Sequence, residues 1–210
     1  HDNHQWTVSN SLDGTLVLEN SRFLRCNLED DGPKNPLSIG VQGFNYATIT
    51  GCTIEGTDGN DHGGISVYNL LGQGAEVTVR NTLVTRCSFG MIASGDGVTV
   101  DVYDSEFSFN NHNPNPMVSG SGITIQYDAV VRVTGTTIND NHWGITTYPP
   151  GSSSTAILGD SSSVHPAEQG FNRIYDNGNN NAVYNFYNNT SIPQIAEMNW
   201  WGSTDLEVIA

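Results

Sequence analysis

The sequence predicts an all-β chain wound as a right-handed parallel β-helix of about six to seven coils. Three observations carry that expectation. A six-residue element recurs along the chain, a second short strand-like element recurs between its copies, and no stretch between them has helical periodicity.

The six-residue element reads apolar, any residue, then Asn, Gly or Asp, then Ser, Thr or Cys, any residue, apolar. It occurs as LENSRF from Leu18, ITGCTI from Ile49, VRNTLV from Val79, VYDSEF from Val102 and VTGTTI from Val133, with a looser copy, LGDSSS, from Leu158. The starts are 31, 30, 23, 31 and 25 residues apart, which suits coils with loops of variable length. Three residues beyond the last apolar position stands a small or amide side chain: Cys26, Thr57, Cys87, Asn110, Asn141 and, after Ile174, Asn177.

The second element is SIGV at Ser38, GISV at Gly64, GMIA at Gly90, GITI at Gly122 and GITT at Gly144. Short period-2 strands joined by Gly, Asn and Asp corners follow from this pattern. Stacking coils at the ordinary strand spacing of about 4.8 Å makes a rod of about 30 Å. Ile39, Ile65, Met91, Ile123 and Ile145 then form one inward file and Val67, Ala93 and Ile125 another.

These elements, with the terminal AEMNWWGSTD at Ala196 to Asp205, resemble the right-handed β-helix repeat proteins of the pectate-lyase-like superfamily. The likeness is greatest to secreted and surface-attached bacterial members with an NWWG segment near the end of the helix. It implies an extracellular or cell-surface location. The start at His1 rather than Met and the stop at LEVIA lead to the expectation of a single β-helix domain over residues 1–210, a segment of a longer secreted or surface protein. The resemblance implies no single activity, because that superfamily holds lyases, hydrolases, adhesins and tailspikes.

Composition narrows the partners. Against 22 Asp and Glu stand 7 Lys and Arg, a formal charge of -15, which repels phosphate-bearing partners and argues against nucleic acid. No apolar run reaches the roughly 18 to 20 residues that span a bilayer, so no membrane insertion is expected, and HDNHQWTVSN is not a cationic and apolar leader.

The three cysteines fit small stack positions. Cys26 and Cys87 fall two coils apart, about 9.5 Å, beyond the roughly 7 Å that a disulfide tolerates between Cα atoms. Cys52 falls in the file of Ser21, Thr82, Ser105, Thr136 and Ser161, and no Cys and His spacing marks a metal site. Asn188 and Asn189 in NNTS are sequons that matter only in a eukaryotic host.

Two look-alike stretches, GNDHGGISVY at Gly59 to Tyr68 and NDNHWGITTY at Asn139 to Tyr148, hold the candidate site. His62 and His142 share a corner three coils apart, about 14 Å, too far for a common metal or a proton relay. Asp61, His62, Asn141 and His142 read either as turn residues with local hydrogen bonds or as polar groups of a glycan surface. Tyr68, Tyr127, Trp143 and Tyr148 read either as aromatic faces for sugar stacking or as rings that stack on one another to shield strand ends. Trp200 and Trp201 read as an apolar closure of the last coil.

Three functions follow in order of expectation. The first is a non-catalytic extracellular module for adhesion, polysaccharide or cell-surface glycan contact, or head-to-tail self-association, needing no cofactor. The second is a polysaccharide lyase or glycoside hydrolase on the Tyr68 to Tyr148 face, with the insertion from Asn110 to Gly122 as a wall. Enzymes of this fold use a basic residue with calcium, or paired Asp residues, and the arginines here fall into no evident cluster with carboxylates. The third is an ice-binding face, because Ser66, Thr124 and Thr146 lie in one outward file that Ile92 interrupts. The acidic loops Leu28 to Pro36 and Thr57 to Gly64 offer oxygen ligands for a structural calcium ion.

Overall fold

The computed structural model describes residues 15–24, 39–41, 46–56, 63–69, 72, 74–111 and 120–203, and the backbone alone of 6–10, 37–38, 42 and 45. The chain winds as a right-handed parallel β-helix whose coils stack three parallel sheets. The first sheet holds Trp6–Asn10, Leu37–Gln42, Gly63–Tyr68, Phe89–Ser94, Ser121–Gln126, Trp143–Tyr148 and Phe186–Asn188. In the second stand Thr15–Glu19, Asn45–Thr50, Ala75–Arg80, Val98–Tyr103, Val130–Thr134, Thr155–Gly159 and Ile195–Ala196. The third holds Arg22–Leu24, Thr53–Glu55, Leu83–Thr85, Glu106–Ser108, Thr137–Asn139 and Arg173–Tyr175, with a bridge from Arg173 to Trp200. One strand from each sheet in chain order makes a coil, and coils 1 to 7 are numbered from Trp6.

Both repeated elements acquire a physical reason. The third position of the six-residue element is the corner between the second and third sheets, and it is left-handed in every coil: Asn20, Gly51, Asn81, Asp104, Gly135, Phe171 and Met198 have φ between 46° and 65°. Asn, Asp and Gly enter that region most easily, which accounts for the motif's choice in the first five coils. The next position turns its side chain inward. There Thr82 Oγ1, Ser105 Oγ, Thr136 Oγ1, Asn172 Oδ1 and Asn199 Oδ1 each accept the backbone N–H of the equivalent residue one coil earlier, beginning with Cys52, at 2.9 to 3.4 Å.

A second internal ladder runs at the corner between the third and first sheets. The Cys87 N–H donates to Asn110 Oδ1, the Asn110 N–H and Nδ2 both donate to Asn141 Oδ1 at 3.0 Å, and Asn141 does the same to Asn177 and Asn177 to Asn185. Asn110, Asn141 and Asn177 are buried. The glycine of the second element makes room for them. A Cβ at Gly122 would lie 2.9 Å from Asn141 Nδ2, and one at Gly144 2.9 Å from Asn177 Nδ2.

The predicted files are the core. Ile39, Ile65, Met91, Ile123 and Ile145 are in register and fully buried, and the file continues to Phe186. Val67, Ala93 and Ile125 form the neighbouring file, and Cys52 and Cys87 are buried small residues as expected. Cys26 lies outside the described residues. One assignment changes: Ser161 is exposed, and Asn172 holds the place expected for it. LGDSSS opens an excursion over residues 160–172 that carries the 3-10 turn Pro166–Glu168, so the third sheet resumes only at Arg173.

Asn141 joins the rungs on either side of it, and its Nδ2 also donates to the Phe107 carbonyl at 3.0 Å. Asn141→Ala strips the Asn110 N–H and the Phe107 carbonyl of these buried partners. A loss of about 2–4 kcal/mol of unfolding free energy at unchanged m-value is expected, and denaturant titration measures it.

Candidate functional site

The outer face of the first sheet is built by the period-2 alternation of its strands, which sends Ile123 and Ile145 inward and Thr124 and Thr146 outward. In coils 5 to 7 this face has aromatic rings at both edges. At one edge Tyr127 and Tyr148 meet edge to face, ring centroids 6.5 Å apart at 77°, with 52% and 42% of their surface exposed. Tyr127 and Asp128 both have positive φ, 51° and 72°, in a turn closed from Ala129 N–H to Gln126 O. A tyrosine in that region is held against a local preference of about 1–2 kcal/mol, and its ring stands out in solvent.

At the opposite edge Trp143 packs on Tyr184 at 4.2 Å and on Tyr187 at 5.1 Å between centroids. Trp143 and Tyr148 are the two ends of one six-residue strand, which sets the edges about 17 Å apart. Tyr187 is the register partner of Thr146, so between the edges lie the Thr124 and Thr146 hydroxyls. Thr146 Oγ1 is 3.2 Å from Ser121 Oγ.

The residues expected from the sequence are thus divided. Tyr127 and Tyr148 come together and Trp143 shares their face from its far edge. Tyr68 occupies the end-of-strand file of Tyr148 three coils away, with Ser94 and Gln126 between them. It is largely covered, and burial raises its phenol pKa. Asp61 and His62 lie outside the described residues, as do the Leu28 to Pro36 loop and the middle of the insertion from Asn110 to Gly122.

The two neighbouring corner residues have defined settings. His142 belongs to a corner packed on backbone: its carbonyl accepts Asn179 Nδ2 at 3.1 Å, and its ring occupies the space a side chain at Gly120 would need. Asn141 is an inter-coil rung, not a group bonding locally within its turn. The outward file of Ser66, Ile92, Thr124 and Thr146 exists in register, but Ser66 is fully buried. An open, flat ice-binding array does not extend through coil 3. Of the two tryptophans, Trp201 packs on the core, whereas Trp200 is 42% exposed and lies against Tyr175 and the Arg173 guanidinium.

Sequence reading missed Tyr184 and Tyr187 because Phe186–Asn188, the strand that holds Tyr187 and that Tyr184 precedes by two residues, lacks the GI element. The signal was present in the spacing of YNFY, which sends Phe186 inward and Tyr187 outward. It also missed an arginine with two carboxylates. On the second sheet, Arg132 Nε donates to Glu168 Oε1 at 2.8 Å and its Nη1 to Asp101 Oδ1 at 3.1 Å. Glu168 comes from the 160–172 excursion, whose turn Arg132 therefore clamps to the sheet. Among the described residues, no group of three or more His, Cys, Asp or Glu side chains is placed to hold a metal ion.

Compared with known proteins, the chain matches no family model, no curated protein sequence and no solved structure at a significant level.

The Ser163 hydroxyl, and then Arg132, hold the Glu168 carboxyl below its ordinary range against the opposing effect of desolvation. A carboxyl depressed on folding adds stability above its unfolded pKa of about 4.3, and that stability is lost as pH falls through the folded value. The stability difference between wild type and Glu168→Gln is therefore expected to be constant above about pH 5 and to shrink as the solution is acidified below about pH 4. Denaturant titrations across that range measure it.

Proposed function

We propose that the protein is a non-catalytic extracellular β-helix module that holds polysaccharide on the outer face of its first sheet in coils 5 to 7. One observation carries this reading: rings at both edges of that face, with hydroxyls between them, on a backbone that the internal ladders keep rigid. Sugar rings present apolar faces that stack on aromatic side chains and hydroxyls that bond to polar ones, and a rigid platform receives them without an ordering cost. The resemblance to secreted and surface-attached β-helix proteins supports the extracellular placement, and the charge of -15 supports a partner other than nucleic acid. Head-to-tail stacking of copies belongs to the same reading, with Phe186–Asn188 and Ile195–Ala196 as the strand edges nearest the C-terminal end. The reading requires no cofactor, and a structural calcium ion is compatible with it.

The test is retention of the purified chain on neutral and acidic polysaccharides, with the soluble products sized in the same incubation. Retention without shortened products is expected. Tyr127→Ala and Tyr148→Ala, at exposed positions, are each expected to weaken retention on the order of tenfold while leaving the melting transition in place. Shortened products would replace this reading with the lyase or hydrolase one. Retention unaffected by either substitution would remove the aromatic face from it.

A further inference from the structure

The corner from the second to the third sheet takes two residues in coils 2 to 5, for example 51–52, and runs over 160–172 in coil 6. That excursion turns back over the outer face of the second sheet. Two contacts hold it there, Glu168 on Arg132 and the Gln169 N–H on Thr134 Oγ1 at 3.0 Å, while the Asp160 N–H closes the excursion on itself at the Glu168 carbonyl, 2.8 Å away. Between its wall and Tyr46 of coil 2 lies a groove of about 390 Å³, a volume within the ordinary range of small-ligand sites.

The floor is polar and largely uncommitted. Thr48, Thr78 and Asp101 form one outward file that ends at Arg132, three coil steps or about 14 Å long, with Glu76 and Thr99 beside it. The hydroxyls of Thr48, Thr78 and Thr99 and the Glu76 carboxylate make no hydrogen bond or ion pair within the described residues. His165 closes the wall. Its Nδ1 accepts the Ala167 N–H at 3.2 Å, so the neutral ring carries its proton on Nε2.

The charge of the groove selects the ligand. Glu76 and Asp101 against Arg132 leave one net negative charge in the lining, and Arg132 is already held by Asp101 and by Glu168 of the excursion. A uronate or phosphate would have to displace one of those carboxylates while facing Glu76. An ammonium group meets carboxylate oxygens with accepting capacity to spare, since a carboxylate takes several hydrogen bonds. The chain's overall charge draws such a ligand from a distance.

We propose that this groove is a second binding site, separate from the face of the first sheet, for an extended ligand bearing protonated primary amines. Glu76 and Asp101 receive the ammonium groups, and the threonine hydroxyls lie along the ligand between them. Either an amino-sugar oligomer or a linear polyamine carries this chemistry.

Titration calorimetry of the full chain tests it, using a glucosamine oligomer, its N-acetylated counterpart, spermidine and an oligogalacturonate. The glucosamine oligomer is expected to bind at least about tenfold more tightly than the N-acetylated one, and the oligogalacturonate not to compete with it. Glu76→Gln, at an exposed position, is expected to weaken the amine ligand about tenfold, while Tyr148→Ala leaves it unchanged, so failure here is distinct from failure on the first sheet. Spermidine binding as well would assign the recognition to the amines alone, and spermidine failing while the oligomer binds would assign it to the amino sugar. Equal affinity for the free and acetylated oligomers, no binding of either amine ligand, or indifference to Glu76→Gln would overturn the proposal.

Discussion

The structure depends on what happens to the backbone at its corners. In each coil the chain must leave one sheet for the next, and a buried N–H at that point has no strand partner. Two inward ladders meet the need. In the oxygen file that runs from Cys52 to Asn199, and in the carboxamide file that runs from Cys87 to Asn177, each rung accepts from the coil before it, and Asn185 closes the second file on Asn177. A carboxamide both accepts and donates, so Asn110, Asn141 and Asn177 link three coils apiece, whereas the hydroxyl rungs return their proton to a carbonyl two residues back, as Ser105 does to Tyr103 at 2.7 Å. The ladders fix the rise between coils, and the rise fixes which outward side chains become neighbours.

That division frees the exterior. Inward positions are apolar or carry a ladder rung and repeat, while outward ones change from coil to coil and carry whatever chemistry the protein has. Departures from the repeat fall in the C-terminal half. The left-handed corner passes to Phe171 and Met198, both exposed, and coil 6 opens into the excursion that Arg132 clamps. The strained Tyr127 and the rings around Trp143 belong to the same three coils, so the aromatic face and the acidic groove stand on different sheets of one rigid body.

The fold was legible because the core files and corner residues obey short-range rules: a left-handed corner selects Asn, Asp or Gly at Asn20, Gly51, Asn81, Asp104 and Gly135, and alternation sends Ile123 and Ile145 inward. Even the amide file was visible as an offset, although its buried role was not. Ser161 was misassigned because the local pattern of LGDSSS imitates a corner, and only the position of Arg173 reveals the excursion. Arg132 meets Asp101 and Glu168 across separations of 31 and 36 residues that the irregular coil lengths conceal. Three of the five rings of the aromatic face were legible, Tyr127, Trp143 and Tyr148. The other two, Tyr184 and Tyr187, sit before and on Phe186–Asn188, a strand too short to show the repeat.

Hydrogen exchange of the side-chain carboxamides, followed by NMR, tests the ladder most directly. The NH2 groups of Asn110, Asn141 and Asn177 are expected to exchange only with global unfolding, at the free energy that denaturant titration gives, while that of the exposed Asn180 exchanges at a solvent rate. Exchange of the Asn141 carboxamide on the time scale of Asn180 in the folded protein would contradict the account, because the coils would then be held in register by something other than the amide file.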